Sequence, residues 1–154
     1  MAWLTRLIGA SVIGCGLMSA AVLAQAMTSG FGARQDPING RRANHAGVDI
    51  AAVTGTPVYA TADGYVGRSR WAGGYGNLVE INHGNGYQTR FGHLSRRIVG
   101  EGQYVRRGAL LGLIGSTGRS TGPHLHYEVR YNGAALDPTP FIRAFKGKVT
   151  THRM

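Results

Sequence analysis

The chain carries six histidines, and three of them fall in two short motifs, His45-Ala-Gly-Val-Asp49 and His124-Leu125-His126. Two imidazoles and one carboxylate make a catalytic zinc set, with three protein ligands and a fourth position left open for water. Residues two apart on a strand point to the same face. His124 and His126 can therefore serve one site, one on the metal and one beside it. Asp49 sits in the apolar stretch from Val48 to Ala52, where an unpaired carboxylate is costly and a cation would compensate it. A hydrolytic metal centre is the leading reading, provided the fold brings the two motifs together.

The elements available to do so are short strands. Glycine, at 25 of 154 residues, is about twice its usual frequency and recurs between apolar runs. That is the pattern of many strands joined by tight turns. Strands are expected over residues 47–51, 57–60, 64–69, 77–82, 87–92, 103–105, 109–114 and 125–131. Asn82-His83-Gly84-Asn85-Gly86 reads as a hairpin turn, with Asn-Gly supplying the positive φ angles. Thr139-Pro140 is placed to cap and start one short helix running through Phe145. The fold class expected is all-β, a single antiparallel domain. Residues 55–64 and 102–112 echo each other, each reading as strand, turn and second strand. Similar half-units build lipoyl and biotinyl carrier domains, but a carrier needs a lysine at a hairpin tip and no lysine precedes Lys146. The echo therefore speaks to architecture.

The chain is long enough for one domain with a real core. Residues 1–26 do not look like part of it. Arg6 is followed by an uncharged run from Leu7 to Ala24, and Ala24-Gln25-Ala26 is an A-x-A cleavage site. A secretory signal removed after Ala26 is the leading expectation. An uncleaved anchor and a lipoprotein built on Cys15 stand as alternatives. Cleavage would remove the only cysteine, so stability must come from packing, with metal as a further possible source, and not from disulfides. Arg6 is the only charged residue before position 27, so the remainder keeps sixteen Arg and Lys against seven Asp and Glu. Such a charge suits an anionic polymer such as a cell wall, or a membrane surface. Nucleic acid fits the charge but not export. The domains expected are 1–26 as signal or anchor, 27–145 as the working domain and 146–154 as a basic tail.

Three stretches taken in order resemble the lysostaphin/LytM-type zinc endopeptidases that cut peptidoglycan cross-bridges. They are His45-Ala-Gly-Val-Asp49, Arg90-Phe-Gly-His93-Leu94 and Gly115-Ser-Thr-Gly-Arg-Ser-Thr-Gly-Pro-His124-Leu-His126. The resemblance runs from about Thr28 to Pro138. It implies an antiparallel β groove of barrel-sandwich type, related to the carrier hairpins. It also implies that His45, Asp49 and His126 hold Zn2+, while His93 and His124 act as catalytic histidines. The implied partner is peptidoglycan, cut at its stem-peptide cross-links by an exported, monomeric protein of the periplasm or cell envelope. Membrane contact is expected only if the N-terminal segment is an anchor.

Phe91 departs from the tyrosine that similar sequences carry, which removes a phenolic hydroxyl near His93 and could alter hydrogen bonding there. Ser116 to Thr121 lacks the Gly-Lys-Ser/Thr ending of a phosphate loop and reads as a substrate-lining loop. Trp71 and Tyr75 read either as a groove wall or as a loop packed by its aromatics. His83 and His152 are expected to be exposed bystanders. The competing function is a non-catalytic wall-binding or hydrolase-activating module on the same fold, as relatives that have lost their ligands would be. All five expected residues are present here, which favours the enzyme.

Overall fold

A computed structural model describes residues 27–142. The expected signal segment, the tail, Cys15, His152 and the end of the expected helix lie outside these residues. Twelve strands are present among the described residues: β1 (Met27–Ser29), β2 (Gly32–Gln35), β3 (Arg42–His45), β4 (Val48–Ala51), β5 (Pro57–Tyr59), β6 (Gly64–Trp71), β7 (Asn77–Gly84), β8 (Tyr87–Arg97), β9 (Tyr104–Val105), β10 (Leu110–Ile114), β11 (His124–Tyr131) and β12 (Ala134–Leu136). All pairings are antiparallel. One sheet runs β1-β4-β11-β8-β7-β6-β9, with β10 bridging β5 and β8 and β12 beside β11, and β2-β3 form a separate hairpin.

Alternation along the central strands builds the core. On β11, Leu125, Tyr127 and Val129 turn inward to meet Val48 and Ile50 of β4, Val79 and Ile81 of β7, and Phe91 and Leu94 of β8. The intervening His124, His126 and Glu128 therefore share the opposite face. The β7–β8 hairpin turns at Asn85 and Gly86, with φ of 51° and 81°, the geometry expected of Asn-Gly. The two echoing segments pair with each other, β5 against β10 and the start of β6 against β9. Their pairing closes the far side of the core through Val58, Val66, Val105 and Leu111.

Several expectations need adjustment. The strands β1, β2, β3 and β12 fall outside the expected segments, because they are short and mostly solvent-facing and so lack an inward stripe. Thr139 does not cap the helix at residues 139–142; the Asp137 carboxylate accepts the Thr139 N–H at 2.9 Å. Phe91 packs on Tyr127 in the core, ring centroids 5.3 Å apart, so the missing hydroxyl does not reach the site. His83 lies on β7 and is half-buried, bonded to the Asp63 carbonyl at 2.7 Å and to the Thr89 hydroxyl at 2.8 Å. It is a structural tie, not an exposed bystander. No helix among the described residues is long and apolar enough to cross a membrane.

Candidate metal centre

Register brings the two sequence motifs together. Asp49 of β4 lies directly opposite His126 of β11, and His124 lies opposite Ala51. The side chains of Asp49 and His126 thus rise side by side on the face away from the core. His45 ends β3, and only Ala46 and Gly47 separate it from β4. Gly47 makes this short link possible, because a Cβ there would come within 2.3 Å of the Tyr127 carbonyl oxygen. His45, Asp49 and His126 are all buried, and one ligand atom from each lies within 4.8 Å of the others.

The donor set is arranged as a cation requires. The Gly30 carbonyl, 2.7 Å from His45 Nδ1, can only accept, so His45 carries its proton there and turns a lone pair inward at Nε2. His126 Nε2 faces Glu128 Oε1 at 2.9 Å, which leaves His126 Nδ1 for the centre. His45 Nε2 and His126 Nδ1 approach to 3.1 Å, and Asp49 Oδ1 lies 3.2 Å and 3.0 Å from them. Two lone-pair nitrogens and a carboxylate oxygen converging in a buried place call for a shared positive charge. The titration behaviour follows. Burial alone would raise Asp49, yet without a metal a proton shared with His126 and His45 holds its carboxyl well below the usual range. Burial disfavours the charged form of His126, but Asp49 and Glu128 outweigh it and move its pKa up. Either a proton or a metal ion meets this demand.

His93 reaches the same place by a backbone irregularity. Between β7 and β8 the register steps from Val79↔Phe91 to Asn77↔Leu94, so β8 carries an extra residue. His93 takes up the bulge with φ of 61°, a left-handed conformation uncommon for a residue with a Cβ. In a regular strand it would follow Phe91 toward the core; the bulge swings it to the site face. Its Nδ1 donates to the Thr117 carbonyl at 2.7 Å, leaving the lone pair on Nε2. Burial, with His124 and His126 adding to it, pushes His93 down to about 4 against the pull of the Thr117 bond. His124 Nδ1 bonds the Gly122 carbonyl at 2.8 Å, its Nε2 is 3.6 Å from Asp49 Oδ1, and its ring lies 4.6 Å from that of His93.

These groups form the floor of a groove of about 590 Å3, within the usual range of ligand-binding clefts. One wall is the β2–β3 hairpin, with Arg34, Pro37, Ile38 and Asn44. The other comprises Ala72 to Tyr75 and Arg119 to Pro123. The loop read as substrate-lining does line this groove through Arg119, Ser120 and Thr121. It is pressed backbone to backbone on the 72–76 turn, where a Cβ on Gly118 would meet Gly76 N at 2.2 Å. Arg119 Nη2 donates to Asp36 Oδ2 at 2.7 Å and joins the two walls. Tyr75 lines the groove, whereas Trp71 is exposed and does not. Arg34 lines it too, with Nη2 3.3 Å from Asp49 Oδ2, whereas the neighbouring Arg41 and Arg42 are exposed and lie outside it.

Beneath His126 lies a feature absent from the sequence reading. Glu128 is fully buried and accepts from His126, Tyr75 and Arg130. Burial raises its pKa, but these three donors win and bring it down to about 2. The period of two from His124 through His126 was the available signal, since it puts Glu128 on the same face.

Residues 43–138 match the profile of Peptidase family M23. This chain belongs to that family. The M23 domain is 51% identical over 112 residues to the DD-carboxypeptidase/endopeptidase Mpg of Neisseria meningitidis, covering 73% of this chain and 26% of that protein. It is 43% identical over 113 residues to the peptidoglycan DD-endopeptidase ShyC of Vibrio cholerae, again covering 73% and 26%. The chain thus spans about a quarter of the length of these curated relatives. Among solved structures, the lysostaphin catalytic domain of Staphylococcus simulans superposes with a TM-score of 0.73 at 36% identity, covering 81% of this chain and 98% of that one. A zinc-containing peptidase from Vibrio cholerae gives 0.68 at 45% identity, with 72% and 35% covered. The M23 fold is the expected antiparallel β groove.

Proposed function

We propose that this chain is an exported zinc endopeptidase of the cell envelope that hydrolyses peptide cross-links of peptidoglycan. The observation that carries the reading is the convergence of His45 Nε2, Asp49 Oδ1 and His126 Nδ1 on the floor of a groove that also holds His93 and His124. The names of the M23 relatives, peptidoglycan DD-endopeptidases and a zinc-containing peptidase, support both the substrate and the metal.

In this reading His45, Asp49 and His126 hold zinc. Zinc supplies Lewis acidity at the scissile carbonyl and makes water acidic enough to attack near neutral pH. The remaining work falls to the chain. His93 and His124 each keep a proton on Nδ1 and donate it in a hydrogen bond to a backbone carbonyl, so both rings present Nε2 as acceptor. Between them they take the proton lost by the attacking water and return one to the leaving amine. The depressed pKa of His93 keeps that ring neutral, ready to accept, at neutral pH. The groove walls hold the peptide strand across the two rings.

Incubating purified protein with intact peptidoglycan, with and without chelator, tests the reading by mass analysis of the fragments. Release of peptide-cleaved, cross-link-derived fragments that stops with chelator is expected. Intact cross-links, or cleavage indifferent to chelator, would overturn it. All five expected residues are present, which favours the enzyme over a non-catalytic module on the same fold.

A further inference from the structure

Glu128 is the one carboxylate among the described residues whose relative exposure is 0%. A carboxylate in such a place is costly unless every lone pair is matched. Its Oε1 accepts from His126 Nε2 at 2.9 Å and from the Tyr75 hydroxyl at 2.7 Å. Its Oε2 accepts from Arg130 Nη1 at 2.7 Å, with Arg90 Nη1 at 3.8 Å. Gly47 seals the near side, where even a methyl group would approach Glu128 Cγ to 3.0 Å.

An ionised carboxylate can only accept. The bond to His126 therefore puts the ring proton on Nε2 and the lone pair on Nδ1, and it fixes the ring about its last torsion. We propose that Glu128 is a positioning residue that holds His126 with Nδ1 turned toward Asp49 and His45, and that Tyr75 fixes the carboxylate oxygen through which it does so. The inference rests on His126 being a zinc ligand. It also gives Tyr75 a second task, because the same residue lines the groove. The 72–76 turn that holds Tyr75 is thereby linked to a metal ligand through one carboxylate oxygen.

Zinc affinity separates positioning from general stability. Wild type, Glu128→Ala and Tyr75→Phe are titrated against a competing chelator at a temperature where circular dichroism shows each zinc-free protein folded. Loss of such an outer partner typically costs about 10- to 100-fold in metal affinity. That loss is expected for Glu128→Ala, with Tyr75→Phe at or below the lower end of the range. The second readout needs no variant: 15N spectra of histidine-labelled, zinc-loaded wild type should place the His126 proton on Nε2 and the metal on Nδ1. Metal on Nε2 overturns the proposal, also in the event that Glu128→Ala does not fold. Affinity in Glu128→Ala within about twofold of wild type, well short of the usual loss, overturns the positioning role alone. Wild type that takes up no zinc overturns the functional reading with it.

Discussion

Replacing His93 probes chemistry and backbone in one experiment. His93→Ala removes a ring that lines the groove but leaves the three candidate ligands in place. Proton transfer by a positioned histidine contributes about 10² to 10⁴ in rate, so turnover should fall by that factor while zinc content stays near one per chain. The fold should lose the bond from Nδ1 to the Thr117 carbonyl, worth about 1 kcal/mol. The φ of 61° remains, and it strains alanine as much as histidine, by about 1 to 2 kcal/mol. Glycine escapes that strain. Set against its greater freedom in the unfolded chain, His93→Gly should be more stable than His93→Ala by about 1 kcal/mol, or roughly 4 °C in Tm for a domain of this size. The assays are turnover of a cross-linked muropeptide, metal analysis and thermal unfolding of the three proteins side by side. Full activity in either variant would refute the proton role. A glycine variant no more stable than the alanine one would refute the strained bulge.

Asp49→Ala and His126→Ala should each retain little zinc after dialysis, and near-stoichiometric metal in both would sink the ligand assignment. Wall binding should weaken as salt rises from about 0.05 to 0.5 M, because screening tightens several-fold over that range; sedimentation with purified wall that is indifferent to salt would make the net charge of +10 incidental. Direct stem-peptide cross-links, which carry carboxylates near the scissile amide, should be cut faster than glycine bridges, because Arg34 and Arg119 line the groove and arginine pairs with carboxylates in forked geometry. Faster cleavage of glycine-bridged wall in a parallel digest would refute that preference and leave the zinc chemistry untouched.

Residue types and short periods were enough to name the candidate centre. The two motifs are legible because few side chains can share a cation, whereas the choice of His126 over His124 as a ligand came only from the resemblance. Of the strands that carry them, β4 and β11 are legible from inward residues at every second position, such as Leu125, Tyr127 and Val129, whereas β3 lacks such a stripe. The Asn85-Gly86 turn is legible because its backbone angles favour those two residues. What the tertiary structure decided are matters of approach between distant segments. The β4–β11 register sets Asp49 opposite His126. The unpaired residue on β8 turns His93 out of the core. The contact between Gly76 and Gly118 builds a wall from two loops about forty positions apart. Glu128 reads locally as an ordinary polar residue between Tyr127 and Val129. Only packing seals it beneath His126 with Tyr75 and Arg130 as partners. A local pattern records which face a side chain takes, whereas the neighbour that face meets depends on how strands far apart in sequence are aligned.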